Sequence, residues 1–176
     1  SLGPEIADLT VSGWGYSKTW SIPGLQSGYL GCTNPNMFKN IQKIADGVMR
    51  GTNTFTQWIV PLLSSGELDY WVKAMNKHLE RIRDLATKRL VEMGDISVPK
   101  LEATYLMFPK WNYGLTSAEL DKIIGDEGKV RLALGTKFGS KGEGHMRILT
   151  ATSEGIMNEA LDRIEKVMPK IEKMKK

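Results

Sequence analysis

The chain is poor in cysteine: Cys32 is its one thiol in 176 residues. That excludes an internal disulfide framework and suits a reducing compartment, so a cytoplasmic location is expected. Long apolar runs are missing as well. None approaches the length of a membrane span, and no charged-then-apolar leader opens the sequence. Charge of neither sign dominates. The formal net charge is +4, the lysines are scattered, and no basic stripe interleaved with aromatics marks a nucleic-acid footprint. Neither a membrane nor a nucleic acid is therefore an expected partner, and no metal-ligand cluster is read. Internal repeats and low-complexity tracts are also absent. What remains is an apolar share of 41% and a charged share of 25%, enough for a globular core.

One stretch organises the rest. Gly13 to Trp20 reads GWGYSKTW, and GLQSGYLG follows at Gly24 to Gly31, so a lone lysine, Lys18, stands in a glycine-rich turn. Apolar residues precede it (Leu9, Val11, Trp14) and follow it (Tyr29, Leu30). Such a lysine is either a surface turn residue or a nucleophilic amine held in a pocket. Gly13 and Gly15 permit tight or left-handed backbone, and Ser17 adds a hydroxyl. The string is similar to a nucleotide phosphate loop but lacks the glycine directly before the lysine. Ser17 stands there, and no amphipathic helix begins after Thr19, so a nucleotide triphosphatase is rejected.

Leu9 to Trp14 and Gly28 to Cys32 read as strands flanking the Lys18 turn, with Pro23 and Gly24 as punctuation. Asn34 and Pro35 open a helix that places Met37, Phe38, Ile41, Ile44, Ala45 and Val48 on one face and stops at Gly51. Thr54 with Gln57 has the spacing of a capping box, and Pro61 is expected to kink or end the helix it opens. Ser64 with Glu67 repeats the box ahead of the longest helix, about Glu67 to Met93, terminated by Gly94. Its stripe is Leu68, Trp71, Met75, Leu79, Ile82, Leu85, Ala86 and Met93, and at 1.5 Å per residue it is about 40 Å long. His78 beside this stripe reads as structural. Beyond Pro99 the texture turns to short strands, Ala103–Phe108, Lys129–Leu134 and His145–Ala151. A helix capped by Thr116 and Glu119 ends near Gly125. A glycine- and lysine-rich loop fills Gly135–Gly144, and a last helix from Ser153 buries Ile156, Met157, Ala160, Leu161, Ile164 and Val167. This is a small α+β layer with helices over one sheet face. Arg147 lies mid-strand. A guanidinium there is either a solvent-face residue or a two-point grip for a carboxylate.

Taken together, these blocks resemble the class I/II aminotransferases, the fold-type-I pyridoxal-phosphate enzymes. GWGYSKTW…GLQSGYLG is similar to the family's lysine block, usually serine-x-serine-lysine followed by glycine-x-arginine-x-glycine-tyrosine. Gly142 to Val167, GEGHMRILTATSEGIMNEALDRIEKV, is similar to its C-terminal block, and Tyr105 to Lys110 looks like its strand entering the small domain. Order and spacing agree over essentially the whole chain. The resemblance implies an α/β fold: the C-terminal part of the large domain plus a small α+β domain. Residues 1–66 would complete the cofactor domain, 67–94 form an interdomain helix, and 95–176 make the small domain. The beginning, SLGPEIAD running into LTVSGW, reads as cut from something longer, so the family's first half is expected as a missing partner.

Carried over, Lys18 resembles the Schiff-base lysine of pyridoxal 5'-phosphate, Ser17 a phosphate-contacting hydroxyl, Arg147 the arginine for the substrate carboxylate, and Tyr29 a packing tyrosine. Gln26 stands where the family has a phosphate-binding arginine, and Gly15 where a serine is common, so the cofactor grip is weaker. The family's mechanism exchanges the lysine imine for that of an amino acid and passes the amino group to a 2-keto acid in ping-pong order. It requires Lys18 sheltered from water, since burial lowers an amine's pKa, and Arg147 converging on the same spot. Homodimers are expected, with apolar patches of the first helices seeking cover. Arg50 is a candidate for a distal carboxylate, and YLMFP suggests apolar walls that favour hydrophobic or aromatic amino acids. The competing expectation is an inactive binding or dimerisation module built on that fold. A regulator variant would need a helix-turn-helix, which is not visible.

Overall fold

The computed structural model describes residues 3–48 and 51–176. Met49 and Arg50, and with them the expected end of the third helix and the distal-carboxylate candidate, lie outside the described residues. The chain divides into two compact units, Ser1–Lys73 and Ala74–Lys176, each taken here by itself. The division falls inside the long helix.

In the first unit a short helix α1 (Pro4–Ala7) leads into strand β1 (Val11–Gly15), a one-turn helix α2 (Tyr16–Thr19), a 3-10 turn (Pro23–Leu25) and strand β2 (Gly28–Cys32). β1 and β2 pair antiparallel from Val11↔Cys32 to Gly15↔Gly28, so Lys18 sits in the connection of a two-stranded hairpin. Trp14 stacks on Tyr29 at 5.3 Å and Tyr16 tilts against it at 5.7 Å. Such cross-strand aromatics stabilise a ribbon too small to stand alone. Helix α3 (Pro35–Val48) is capped as expected, with Asn34 Oδ1 accepting from the N–H groups of Asn36 and Met37. Its apolar face is covered only in part: Met37, Ile41 and Ala45 are half-buried, whereas Phe38, Ile44 and Val48 are exposed.

Helix α4 (Thr54–Ser64) corrects two expectations. Its cap is Asn53, whose Oδ1 accepts from Thr56 N–H at 2.9 Å, while Gln57 Nε2 donates to Thr52 O. Asn53 wins over Thr54 because its amide nitrogen also donates to Leu25 O at 2.8 Å, a tertiary bond that spacing along the chain does not reveal. Pro61 lies inside the helix and does not end it at that point. It removes one backbone donor near the end, and the chain stops three residues later with Ser65 bonded back to Leu62 O. The expected Ser64–Glu67 box is also replaced. Ser64 Oγ pairs with Tyr16 OH, Ser65 Oγ takes Glu67 N–H, and helix α5 runs Asp69–Met93.

The hydrophobic core belongs to the second unit. Ile82, Ala86 and Leu90 of α5 meet Met157, Leu161, Ile164, Met168 and Ile171 of helix α7 (Glu154–Lys173), which starts on a Ser153 cap. α7 passes through Pro169 to a further turn that the Ile156–Val167 stripe did not include. Proline inside a helix costs about 3 kcal/mol. Full burial of Met168 and Ile171 at about 1.5–3 kcal/mol each offsets it. Ile156, expected inside, is exposed.

The strands between these helices are short: β3 (Ile96–Ser97), β4 (Leu106–Met107), β5 (Lys110–Trp111), β6 (Ala133–Leu134) and β7 (Met146–Leu149). β4-β7-β6 form an antiparallel sheet and β3 pairs with β5. The expected strands were longer, and the backbone explains the loss. Thr104 and Lys129 adopt φ of 64° and 58°, incompatible with extended chain, and Arg131 forks onto Asp121 and Asp126, which draws its segment away from the sheet. Helix α6 (Ser117–Asp121) has the expected Thr116–Glu119 capping box and continues as a π-helical stretch, Lys122–Glu127. His78 is structural, its Nε2 lying 2.8 Å from Thr152 O just before α7. Among the described residues no helix is long and apolar enough to cross a membrane, and no group of residues could hold a metal ion.

Candidate functional site

Lys18, Ser17 and Gln26 all fall in the connection between β1 and β2. The connection is held at several points. Tyr16 N–H donates to Ser27 O at 3.3 Å, Ile22 N–H to Ser17 O at 3.0 Å, and Leu25 O accepts from both Asn53 Nδ2 and Thr56 Oγ1 at 2.8 Å. Gln26 follows that doubly bound carbonyl in a left-handed conformation, φ 46°. The left-handed region is costly for a residue with a Cβ, and the bonds to Leu25 hold the turn in place. Ser17 is half-buried, Gln26 exposed and Lys18 exposed. The expected shelter around Lys18 is therefore not supplied by this unit, because Trp14, Tyr29 and Leu30, the bulky groups nearest in sequence, are themselves exposed.

Ser27 went unread in the sequence. It is 8% exposed, and its Oγ is buried with no hydrogen-bond partner among the described residues. It lines a cavity of about 340 Å³ with Tyr16, Tyr29, Thr56, Gln57 and Pro61. Its only sequence signal was its place inside the GLQSGYLG block.

Arg147 belongs to the other unit. It stands on the central strand β7, opposite Ala133. Alternation along β7 buries Met146, Ile148 and Thr150, so His145, Arg147 and Leu149 face the other way. The start of this strand is tied to α6: Ser117 Oγ accepts from Gly144 N–H and donates to His145 O, and Glu143 Oε1 accepts from Ser117 N–H at 2.5 Å. The Ser117 N–H bond is the main reason the Glu143 carboxyl is held below its ordinary range. The Arg147 guanidinium carbon lies 4.3 Å from the centre of the Phe138 ring.

The other described arginines are spent on carboxylates: Arg81 on Glu154, Arg83 on Asp84, Arg131 on Asp121 and Asp126, and Arg163 on Glu159. Arg89 is the clearest contrast, with Nη1 on Asp162 at 2.7 Å and Nη2 on Glu165 at 2.6 Å. Burial works against its charge, and those two bonds outweigh it and raise its pKa. Among the described residues Arg147 alone of the arginines has no ion pair, so its donors remain for an anion.

Residues 2–164 match the model of the family described as aminotransferase class I and II. The chain belongs to the class I and II aminotransferase family. Over 89 residues, half of this chain and 23% of the relative, it is 42% identical to an aspartate aminotransferase of Pyrococcus abyssi. Over 94% of its length it is 28% identical to cystathionine beta-lyase PatB of Bacillus subtilis, covering 43% of that protein. In three dimensions it matches a PLP-bound protein of Clostridium difficile 630, provisionally classed as an aminotransferase, with TM-score 0.87 at 29% identity, over 96% of this chain and 44% of that one. The chain thus spans less than half the length of these relatives.

The donor set can be tested against pyridoxal phosphate. An aldehyde needs a primary amine, and Lys18 is one. A phosphate needs donors, and Ser17 and Gln26 bring neutral ones to the same connection, while residues 9–38 hold no cation besides Lys18. The set fits the group, with a weaker hold on the phosphate than a guanidinium would give.

Proposed function

We propose that this chain is the lysine- and arginine-bearing part of a pyridoxal-phosphate-dependent enzyme that moves an amino group between an amino acid and a 2-keto acid. The observation that carries the reading is Arg147: on the central strand, seated on an aromatic ring, and without the internal carboxylate that every other described arginine has. Lys18 would hold the cofactor through its ε-amine, with Ser17 and Gln26 on the phosphate. When bound, the cofactor supplies a carbonyl carbon and an electron sink. Lys18, once its amine is released, takes and returns the proton at the substrate Cα, which is general acid–base work. Arg147 grips the α-carboxylate and so fixes which Cα bond faces the base, an effect of positioning. Lys18 is exposed in this unit, so the walls that exclude water would come from outside it, and the partner for the pyridine nitrogen from the part of the family's fold that this chain does not span. The isolated chain is therefore expected to be inactive, and the complete protein to be a cytoplasmic homodimer.

Incubation with pyridoxal phosphate, borohydride reduction and peptide mass spectrometry test the reading. Lys18 is expected to carry the adduct in clear excess over the other lysines. Even labelling of all surface lysines, both in this chain and in the longer protein containing it, ends the reading and favours the binding module. A second reaction deserves the same assay, because the relative matched along nearly the whole chain is named a lyase. Release of the thiol homocysteine together with ammonia and pyruvate from cystathionine and water, without need of an acceptor keto acid, would identify elimination in place of transfer.

A further inference from the structure

Resting on the reading of Arg147 as the carboxylate-binding group, we propose that Phe138 is a positioning residue that seats the Arg147 guanidinium and leaves its donors for the substrate carboxylate. The Arg147 carbon lies 4.3 Å from the Phe138 ring centre, inside the range of a cation–π contact. A phenyl face attracts the cation without accepting any of its five N–H donors. It thus restrains the charge without using it up, the opposite of the arrangement at Arg89, where both terminal nitrogens are bound to carboxylates.

The seat is itself supported. Phe108 meets Phe138 edge-on at 5.7 Å and 85°, and His145 stacks on Phe108 at 4.9 Å and 15°. His145, just ahead of β7, and Arg147 on it face the same way, so the aromatic row starts beside that strand and ends on it. Phe138 comes from a different segment, two successive 3-10 turns at Gly135–Phe138 and Ser140–Gly142. Backbone packing sets its position. A Cβ on Gly135 would collide with Gly142 O, and one on Gly142 with Gly135 O. The two ends of the loop touch backbone to backbone, and Phe138 is carried over the sheet between them. Phe138 is half exposed, so its ring does little for the core. A purely structural account leaves unexplained its pairing with the arginine that, among the described residues, has no ion pair.

The test uses the whole chain and NMR of the arginine Nε–H groups, with the Arg147 signal assigned by its loss in Arg147→Lys. In the unsubstituted chain that signal is expected upfield, shifted by the Phe138 ring, and it should move on titration with pyruvate as a plain 2-keto carboxylate. Phe138→Leu should abolish the upfield shift and weaken the pyruvate response by about two- to fivefold, the worth of an exposed cation–π contact. Phe138→Tyr, which keeps the ring face, should restore both. Methyl signals of Leu161 and Ile164, in the core, should stay in place in every variant and so exclude unfolding as the cause. An Arg147 signal and a pyruvate response that Phe138→Leu leaves unchanged overturn the proposal alone. No pyruvate response at Arg147 in the unsubstituted chain removes the carboxylate-binding reading, and the proposal with it.

Discussion

Glu119 gathers donors from two directions. Its Oε2 accepts from the Thr116 N–H at 2.7 Å and the Thr116 hydroxyl at 2.9 Å, and its Oε1 meets Lys176 Nζ at 2.8 Å. The Lys176 bond first, then those to Thr116, hold its carboxyl at about 2, against an ordinary 4.5. A carboxyl whose pKa is lowered by folding stabilises the fold fully above its unfolded value and loses that contribution as pH falls towards the folded one. Asp95, lowered by its bonds from Asn112 and then Lys175, acts in the same direction. Thermal unfolding followed by circular dichroism should therefore show stability falling as the pH drops from about 4.5 to about 2, the ordinary and folded values for Glu119. Glu119→Gln should flatten part of that slope. The capping box was legible because Thr116 and Glu119 are three residues apart and serve each other locally. The Lys176 contact was not, because nothing in the sequence brings the end of the chain to that helix.

Among the elements, α5 and α7 carry the core, and both were visible as periodic apolar stripes. Leu161, 1% exposed at the centre of α7, should cost about 2–5 kcal/mol on truncation to alanine. Ser153, whose Oγ accepts from Ile156 N–H at the start of α7, should cost about 1 kcal/mol. Urea titrations of the two variants would rank them in that order, and near-equal losses would mean that α7 is held by its ends more than by its face. The strands were legible only as approximate places. Ala103–Phe108 and Lys129–Leu134 have the composition of strands, but one residue in each takes a positive φ, and composition does not record that. The candidate site divided in the same way. Lys18, Ser17, Gln26 and Arg147 could be read from local blocks, whereas Phe138 and Ser27 acquire meaning only from what surrounds them after folding. Gly135→Ala or Gly142→Ala should separate the loop ends that hold Phe138. Either is expected to move the Arg147 Nε–H signal downfield, in the direction expected of Phe138→Leu.

At the scale of the whole chain the two units are unequally finished. The buried apolar cluster lies entirely within 74–176, whereas in the first unit Leu9, Ile44, Val48, Phe55 and Trp58 each expose more than two thirds of their surface. Stability in such a chain is not uniform. Amide exchange should be slowest in α5 beyond Ile82, in β7 and in α7, and fast in α3 and α4. Equal protection of α3 and α7 would show that the first unit finds its cover within the chain. The passage from one unit to the next is itself unusual, because it falls at Lys73 inside an uninterrupted helix. An endoprotease that needs several extended residues in its cleft has nothing to grasp at the border, and dissecting the chain there first requires unwinding turns whose hydrogen bonds span the cut.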